Sequence, residues 1–152
     1  MSLLHAILAA MLGTYAMTWS STTEMHWRGR SASVVPGMAT NKLLRIVGVP
    51  ALEGRALTIL SEWTHWVYGA AWGVVYWLLV DDDFADLNTV VAGVIFFLIV
   101  WIFEQIELPL LRIGVPPSWT WGIKENVIDA WHHVVYAAGT VVAWELIDYL
   151  RS

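Results

Sequence analysis

Hydrophobic residues run in four long stretches along this chain, and ionisable residues interrupt them almost only near one end of each. The stretches cover residues 3–21, 57–80 (including HWVYGAAWGVVYWLLV), 87–111 (including TVVAGVIFFLIVWIF) and 127–150, the last being the least apolar. A helix that crosses hydrocarbon needs about 20 residues, so each stretch is long enough. No helix-breaking proline interrupts them: Pro109 sits at the end of the third, and Pro116-Pro117 punctuate the turn that follows. The pattern predicts an all-α chain of one domain over residues 1–152, folded as a four-transmembrane-helix up-down bundle.

Composition strengthens that reading. The chain is 58% hydrophobic and 14% charged, with a mean hydropathy of +0.60, whereas soluble domains average about 45–50% apolar and about 25% charged. No Lys or Arg precedes the first apolar run, so the basic region of a secretory signal is missing and the segment is expected to stay as a helix. There are no cysteines, which excludes disulfides, thiolate metal sites and cysteine nucleophiles. A net charge of −5 and the lack of a long basic cluster argue against nucleic acid as a partner.

The basic residues set an orientation. Arg28, Arg30, Lys42, Arg45 and Arg55 lie between stretches one and two, and Arg112 and Lys124 between three and four. The connection between two and three is DDDFADLN, without a cation, and only Arg151 is left for that side. The positive-inside rule then makes the long first loop cytoplasmic and both termini non-cytoplasmic, as in a bacterial inner (plasma) membrane protein. Within that loop, residues 39–47 are expected to form a short interfacial helix, with Leu43, Leu44, Ile46 and Val47 towards lipid or the bundle. Arg28 and Arg30 suit an anion or lipid headgroup, or serve as a topology signal alone.

Glu24 and His26 follow the first stretch, Glu62 and His65 open the second, Glu104 and Glu107 end the third, and Asp129, His132 and His133 open the fourth. In an up-down arrangement all of them reach the cytoplasmic end. At a rise of about 1.5 Å per residue, Glu104 lies about 24 Å, His65 about 23 Å and His132 about 27 Å from the outer ends, within one turn of each other. Residues three or four apart share a helix face, so Glu62 with His65, and Asp129 with His132 or His133, each present a carboxylate and an imidazole together. Ionisable groups at such depth are costly and mark a site by default. Structural roles compete with that reading, since interfacial acids snorkel to water and buried polar groups hold helices in register.

The order Glu24, Glu62-x-x-His65, Glu104, Asp129-x-x-His132 resembles the ferritin-like di-iron carboxylate bundles, which use one Glu from each of two helices and Glu-x-x-His from each of the other two. The likeness covers six positions, with Asp in place of Glu at 129. It implies Glu24, Glu62, Glu104 and Asp129 as carboxylate ligands, His65 and His132 as imidazole ligands, and His26, Glu107 and His133 as outer or alternative ones. Such a ligand set suits Fe, Mn or Zn. Haem held by His65 and His132 or His133 is disfavoured by the surrounding carboxylates. A proton relay is disfavoured by the long apolar runs towards the outer face, where His5, Glu145 and Asp148 stand apart. The segments EMHWRGRSASVVPG and IDAWHHVVYAAGT also resemble those of small bacterial four-helix inner-membrane proteins, which implies a topology and no activity.

Other features read as packing. Gly69, Ala70 and Gly73 form a small-residue face for close helix approach, and Trp63, Trp66, Trp119, Trp121 and Trp131 form an interfacial belt. No Ser-His-Asp arrangement, Walker loop or dinucleotide glycine motif is present. The expected function is a polar, di-metal carboxylate/His site at the cytoplasmic membrane face, acting on a lipid-soluble small molecule. The alternative is a non-catalytic accessory subunit of a larger respiratory or photosynthetic membrane complex, or a homo-oligomer. Enzyme and structural subunit both stay open.

Overall fold

The computed structural model describes residues 2–113, 117–120 and 122–151, and every regular element among them is helical. In chain order these are α1 (Leu3–Arg28), α2 (Val35–Ile46), α3 (Gly54–Ala71), α4 (Gly73–Val80), α5 (Thr89–Leu110), α6 (Pro117–Thr120) and α7 (Ile123–Tyr149). α3 and α4 are one rod with a break at Trp72. Two helices, α1 and α5, are each long and apolar enough to cross a membrane. The other two hydrophobic stretches form helices of comparable total length. The break divides one of them, and Lys124, Glu125, Asp129, Glu145 and Asp148 dilute the other.

Local chemistry sets the helix ends. Asn88 accepts a bond from Val91 N–H at 3.0 Å and caps α5. Gly29, at φ 63°, takes the left-handed conformation that terminates α1 and turns the chain back. The first helix therefore runs beyond the expected residue 21, carrying Glu24 and His26 on its last two turns.

α1 packs on α7, α3 and α4, and α5 packs on α7 and α4. Neighbouring rods are antiparallel: α1 meets α7 at Gly13 beside Thr140 at one level and at Arg28 beside Glu125 at another. Small residues permit these approaches. A Cβ on Gly73 would fall 2.7 Å from the Ala6 carbonyl oxygen, and one on Gly13 2.5 Å from that of Tyr136. The predicted small-residue face of Gly69 and Gly73 thus lies against α1. Around the contact, Ala6, Ala9, Tyr76, Phe96 and Trp144 make a dry core, with Tyr76 edge-on to both Phe96 and Trp144. Buried Thr14 and Thr140 return their hydroxyls to the carbonyls of Ala10 and Tyr136, so neither is left unsatisfied.

A helix forms where a short loop helix was expected over residues 39–47, but it runs from Val35 to Ile46 and docks on α3. Gly37 approaches Leu57 and Ser61, and the hydroxyls of Thr40 and Thr64 meet at 2.7 Å. Asn41 bonds both backbone groups of Leu52, which pins the returning loop. Ile46 and Val47 remain exposed. In the predicted belt, Trp63, Trp119 and Trp131 are exposed; Trp121 lies outside the described residues.

Candidate functional site

The packing that closes one end of the molecule is relaxed at the other. A cavity of about 520 Å³ lies among α1, α2, α3, α5 and α7. Its wall includes Glu62, His65, Glu104, Asp129 and His132, five of the six residues expected as ligands, together with Glu107 and His133. Glu24, His26 and Arg28 are not among its lining residues, whereas Arg30 is.

The closest group inside it is Glu104, Asp129 and His133, whose potential ligand atoms lie within 4.8 Å of one another. A backbone carbonyl orients His133 and an outer donor orients Asp129. His133 Nδ1 lies 2.9 Å from the Asp129 carbonyl oxygen, which only accepts, so Nδ1 carries a hydrogen and Nε2 is the ring atom that a neutral imidazole would offer to a ligand. That Nε2 is 3.7 Å from Glu104 Oε2, and this buried oxygen makes no hydrogen bond. Trp101 Nε1 donates to Asp129 Oδ2 at 3.0 Å, leaving Oδ1 turned to the His133 ring at 3.7 Å. A ligand imidazole donating its other N–H to a carbonyl, beside a carboxylate fixed by an outer donor, is the usual support of a metal site.

The other expected ligands are engaged differently. Thr18 gives its hydroxyl hydrogen to the Thr14 carbonyl at 2.8 Å, so its oxygen accepts from His65 Nε2 at 3.0 Å and that nitrogen holds its proton. His132 bonds Ser20 through Nδ1 at 3.0 Å, while its buried Nε2 has no hydrogen-bond partner and lies 3.9 Å from Glu24 Oε2. Glu24 itself is spent on cations: Arg28 reaches it at 2.7 Å, and Arg30 grips both its oxygens, Oε1 at 3.2 Å and Oε2 at 3.0 and 2.7 Å. Arg28 also pairs with Glu125 through two bonds, one of 2.9 Å. The Arg28 guanidinium beside it holds the Glu125 carboxyl below the ordinary carboxylate range. Both arginines expected to bind an anion therefore already face carboxylates. Glu62 is exposed at the cavity edge, and His26 is exposed on α1.

On α7 it is Asp129-x-x-x-His133, and not the Asp129-x-x-His132 of the expected ligand set, that brings a carboxylate and an imidazole together with Glu104. Several partners had weaker signals. Trp101 stands three residues before Glu104 and so shares its face. Tyr68 and Tyr136 each follow the histidines by one turn: Tyr68 donates to Glu107 Oε2 at 2.6 Å and Tyr136 to the Gly69 carbonyl at 2.6 Å. Thr18 and Ser20 belong to the polar run TWSSTTE at the end of the first stretch.

Comparison with known proteins finds no matching family model, no matching curated protein and no matching solved structure.

Proposed function

We propose that this chain is a four-helix transmembrane bundle that binds one divalent metal ion at Glu104, Asp129 and His133, in a cavity at its cytoplasmic end that receives a lipid-soluble molecule. The observation that carries the metal reading is the buried, unpartnered Glu104 Oε2 facing His133 Nε2, with Asp129 completing the group. Two carboxylates and a neutral imidazole match the charge and donor preference of Mn, Fe or Zn. Three donors suffice for one ion, with open positions for an exogenous ligand. Glu24 is unsuited to a second ion because its oxygens are held by arginines. An ion bound there supplies Lewis acidity, or redox chemistry if it is iron or manganese.

The membrane placement is supported by α5, where Val90, Val94, Leu98, Ile102 and Ile106 form one exposed stripe along the helix. An apolar stripe of that length on a water-soluble monomer is a liability, and in lipid it is the expected surface. With about 1.5 Å per residue, α5 is about 33 Å long, matching a hydrocarbon core of about 30 Å. The cavity end carries the cations Arg28, Arg30, Lys42, Arg45 and Arg55, while Arg151 stands at the other end beside His5. This asymmetry supports cytoplasmic placement of the cavity and outward placement of both termini.

The test is metal analysis of detergent-purified protein equilibrated with Mn²⁺ or Zn²⁺, beside a Glu104→Gln/His133→Ala variant whose helix content is checked by circular dichroism. Near-stoichiometric metal in the parent and a loss of at least tenfold in the folded variant are expected. Sub-stoichiometric metal in the parent, or equal metal in both, overturns the reading.

A further inference from the structure

The break at Trp72 changes what α3 touches. Beyond it, α4 packs against α5; before it, α3 packs on α1 and α2. The two rods therefore separate beside the cavity, and side chains bridge the gap: Tyr68 O–H to Glu107 Oε2 at 2.6 Å, and Trp72 edge-on to Phe103 with ring centres 5.3 Å apart. The rim of this gap is apolar and exposed, with Val67, Phe103 and Ile106 turned outward. Tyr68, Trp72 and Glu107 also line the cavity, so the same side chains have one side towards the exterior and one towards the site.

Resting on the transmembrane metal-site reading above, we propose that the α3–α5 gap is a lateral portal from the bilayer, latched by Tyr68 and Glu107, and that it admits an uncharged amphiphile with a hydroxyl head. Three observations select the head. The route lies at the depth of the hydrocarbon, where a charged group is far costlier than a hydroxyl. The wall carries Glu62, Glu104, Glu107 and Asp129, with Glu125 already paired to Arg28, so a divalent ion and the Arg30 guanidinium leave it without net positive charge to favour a carboxylate or phosphate head. His132, a residue 5% exposed, is among the lining residues, and its Nε2, 3.9 Å from Glu24 Oε2, has no hydrogen-bond partner. A hydroxyl serves it as donor or acceptor in either tautomer. A cavity of about 520 Å³ falls within the roughly 300–1,000 Å³ of small-molecule sites.

The absence of native cysteine makes the latch directly testable. A Tyr68→Cys/Glu107→Cys variant in nanodiscs is locked by a short bis-methanethiosulfonate that spans the gap through a disulfide at each end, with the link verified by peptide mass spectrometry. Three photoactivatable twelve-carbon probes, differing only in an alcohol, carboxylate or ammonium head, are then cross-linked and their adducts mapped. The alcohol probe is expected to label Met17 or Trp72 on the cavity wall at least tenfold more than the carboxylate probe. Excess dodecanol should compete it away, and the verified disulfide lock should reduce labelling at least tenfold, with recovery on reduction. His132→Ala should lower labelling by the alcohol probe several-fold while leaving Mn²⁺ stoichiometry unchanged. Equal labelling by the carboxylate, stronger labelling by the ammonium, or undiminished labelling through a verified lock overturns the proposal. Metal stoichiometry on the same samples separates the readings: labelling without metal sinks the metal site alone, and metal without labelling sinks the portal alone.

Discussion

The two ends of this molecule are built from the same rods and packed on opposite principles. At one end Ala6, Ala9 and Gly13 let backbones touch, and Tyr76, Phe96 and Trp144 fill what space remains. At the other, rods of the same chain stand apart around about 520 Å³ and line it with acids and imidazoles. Gly69, Trp72 and Gly73 mark the boundary. The dry end supplies rigidity and has little polar chemistry to offer. The hollow end gives up packing contacts, and its unsatisfied atoms, Glu104 Oε2 and His132 Nε2, belong to an acid and an imidazole, whereas those of the dry end, Tyr76 O–H and Trp77 Nε1, belong to a phenol and an indole. Such groups are tolerable only where the rest of the structure holds them.

That contrast is sharpest under mutation. Phe96→Ala, in the dry end, should cost about 3–5 kcal/mol of stability in detergent, read as a fall in the unfolding midpoint with metal stoichiometry per folded chain intact. A loss of metal binding in the folded fraction would show that the two ends are not separable. Gly73→Ala should cost about 1–3 kcal/mol, towards the upper end because the clash is with the Ala6 and Ile7 backbone, which cannot rotate away. Trp101→Phe keeps the stack on Phe97 and removes the hydrogen bond to Asp129. It should weaken metal affinity by about 10–100-fold by titration, with little change in melting temperature. A change in melting temperature as large as that of Gly73→Ala would make Trp101 a packing residue instead.

The sequence pattern was most legible where one physical demand acts alone. Hydrophobic length located four helical stretches, and the glycines at 69 and 73 announced a close approach, because burial and backbone clearance leave direct marks on composition. The site was legible as a set of depths but not as a set of contacts. Acid-x-x-His and acid-x-x-x-His both share a helix face, so spacing alone left His132 and His133 interchangeable. The choice is made by Ser20 holding one ring and the Asp129 carbonyl holding the other. Glu24 looked equivalent to Glu104 until the turn at Gly29 folded Arg30 back onto it. The break at Trp72 had no proline to signal it, and its Gly69 carbonyl is satisfied from a helix more than 60 residues away.

The smallest expected effect lies at the exposed rim. The Glu125 carboxyl is depressed by Arg28, so the pair's contribution is present above the ordinary carboxylate range and fades as pH falls through the lowered value. Glu125→Gln should therefore lower the melting temperature slightly at neutral pH and leave it unchanged under strongly acidic conditions, with the difference shrinking in high salt. A difference that persists at low pH would point to packing at this position instead of charge.

The hydroxyl of Tyr136 on the Gly69 carbonyl has a consequence for the order in which the protein is made. The break between α3 and α4 precedes α7 in the chain, but the group that satisfies its Gly69 carbonyl arrives on α7, together with Asp129 and His133. Until α7 has joined, the nascent chain holds Glu104 without either of the residues grouped with it. Neither that carbonyl's partner nor the cluster of acids and imidazole is in place before that step. Assembly of the polar end therefore waits on α7, and a chain cut before it lacks the cluster.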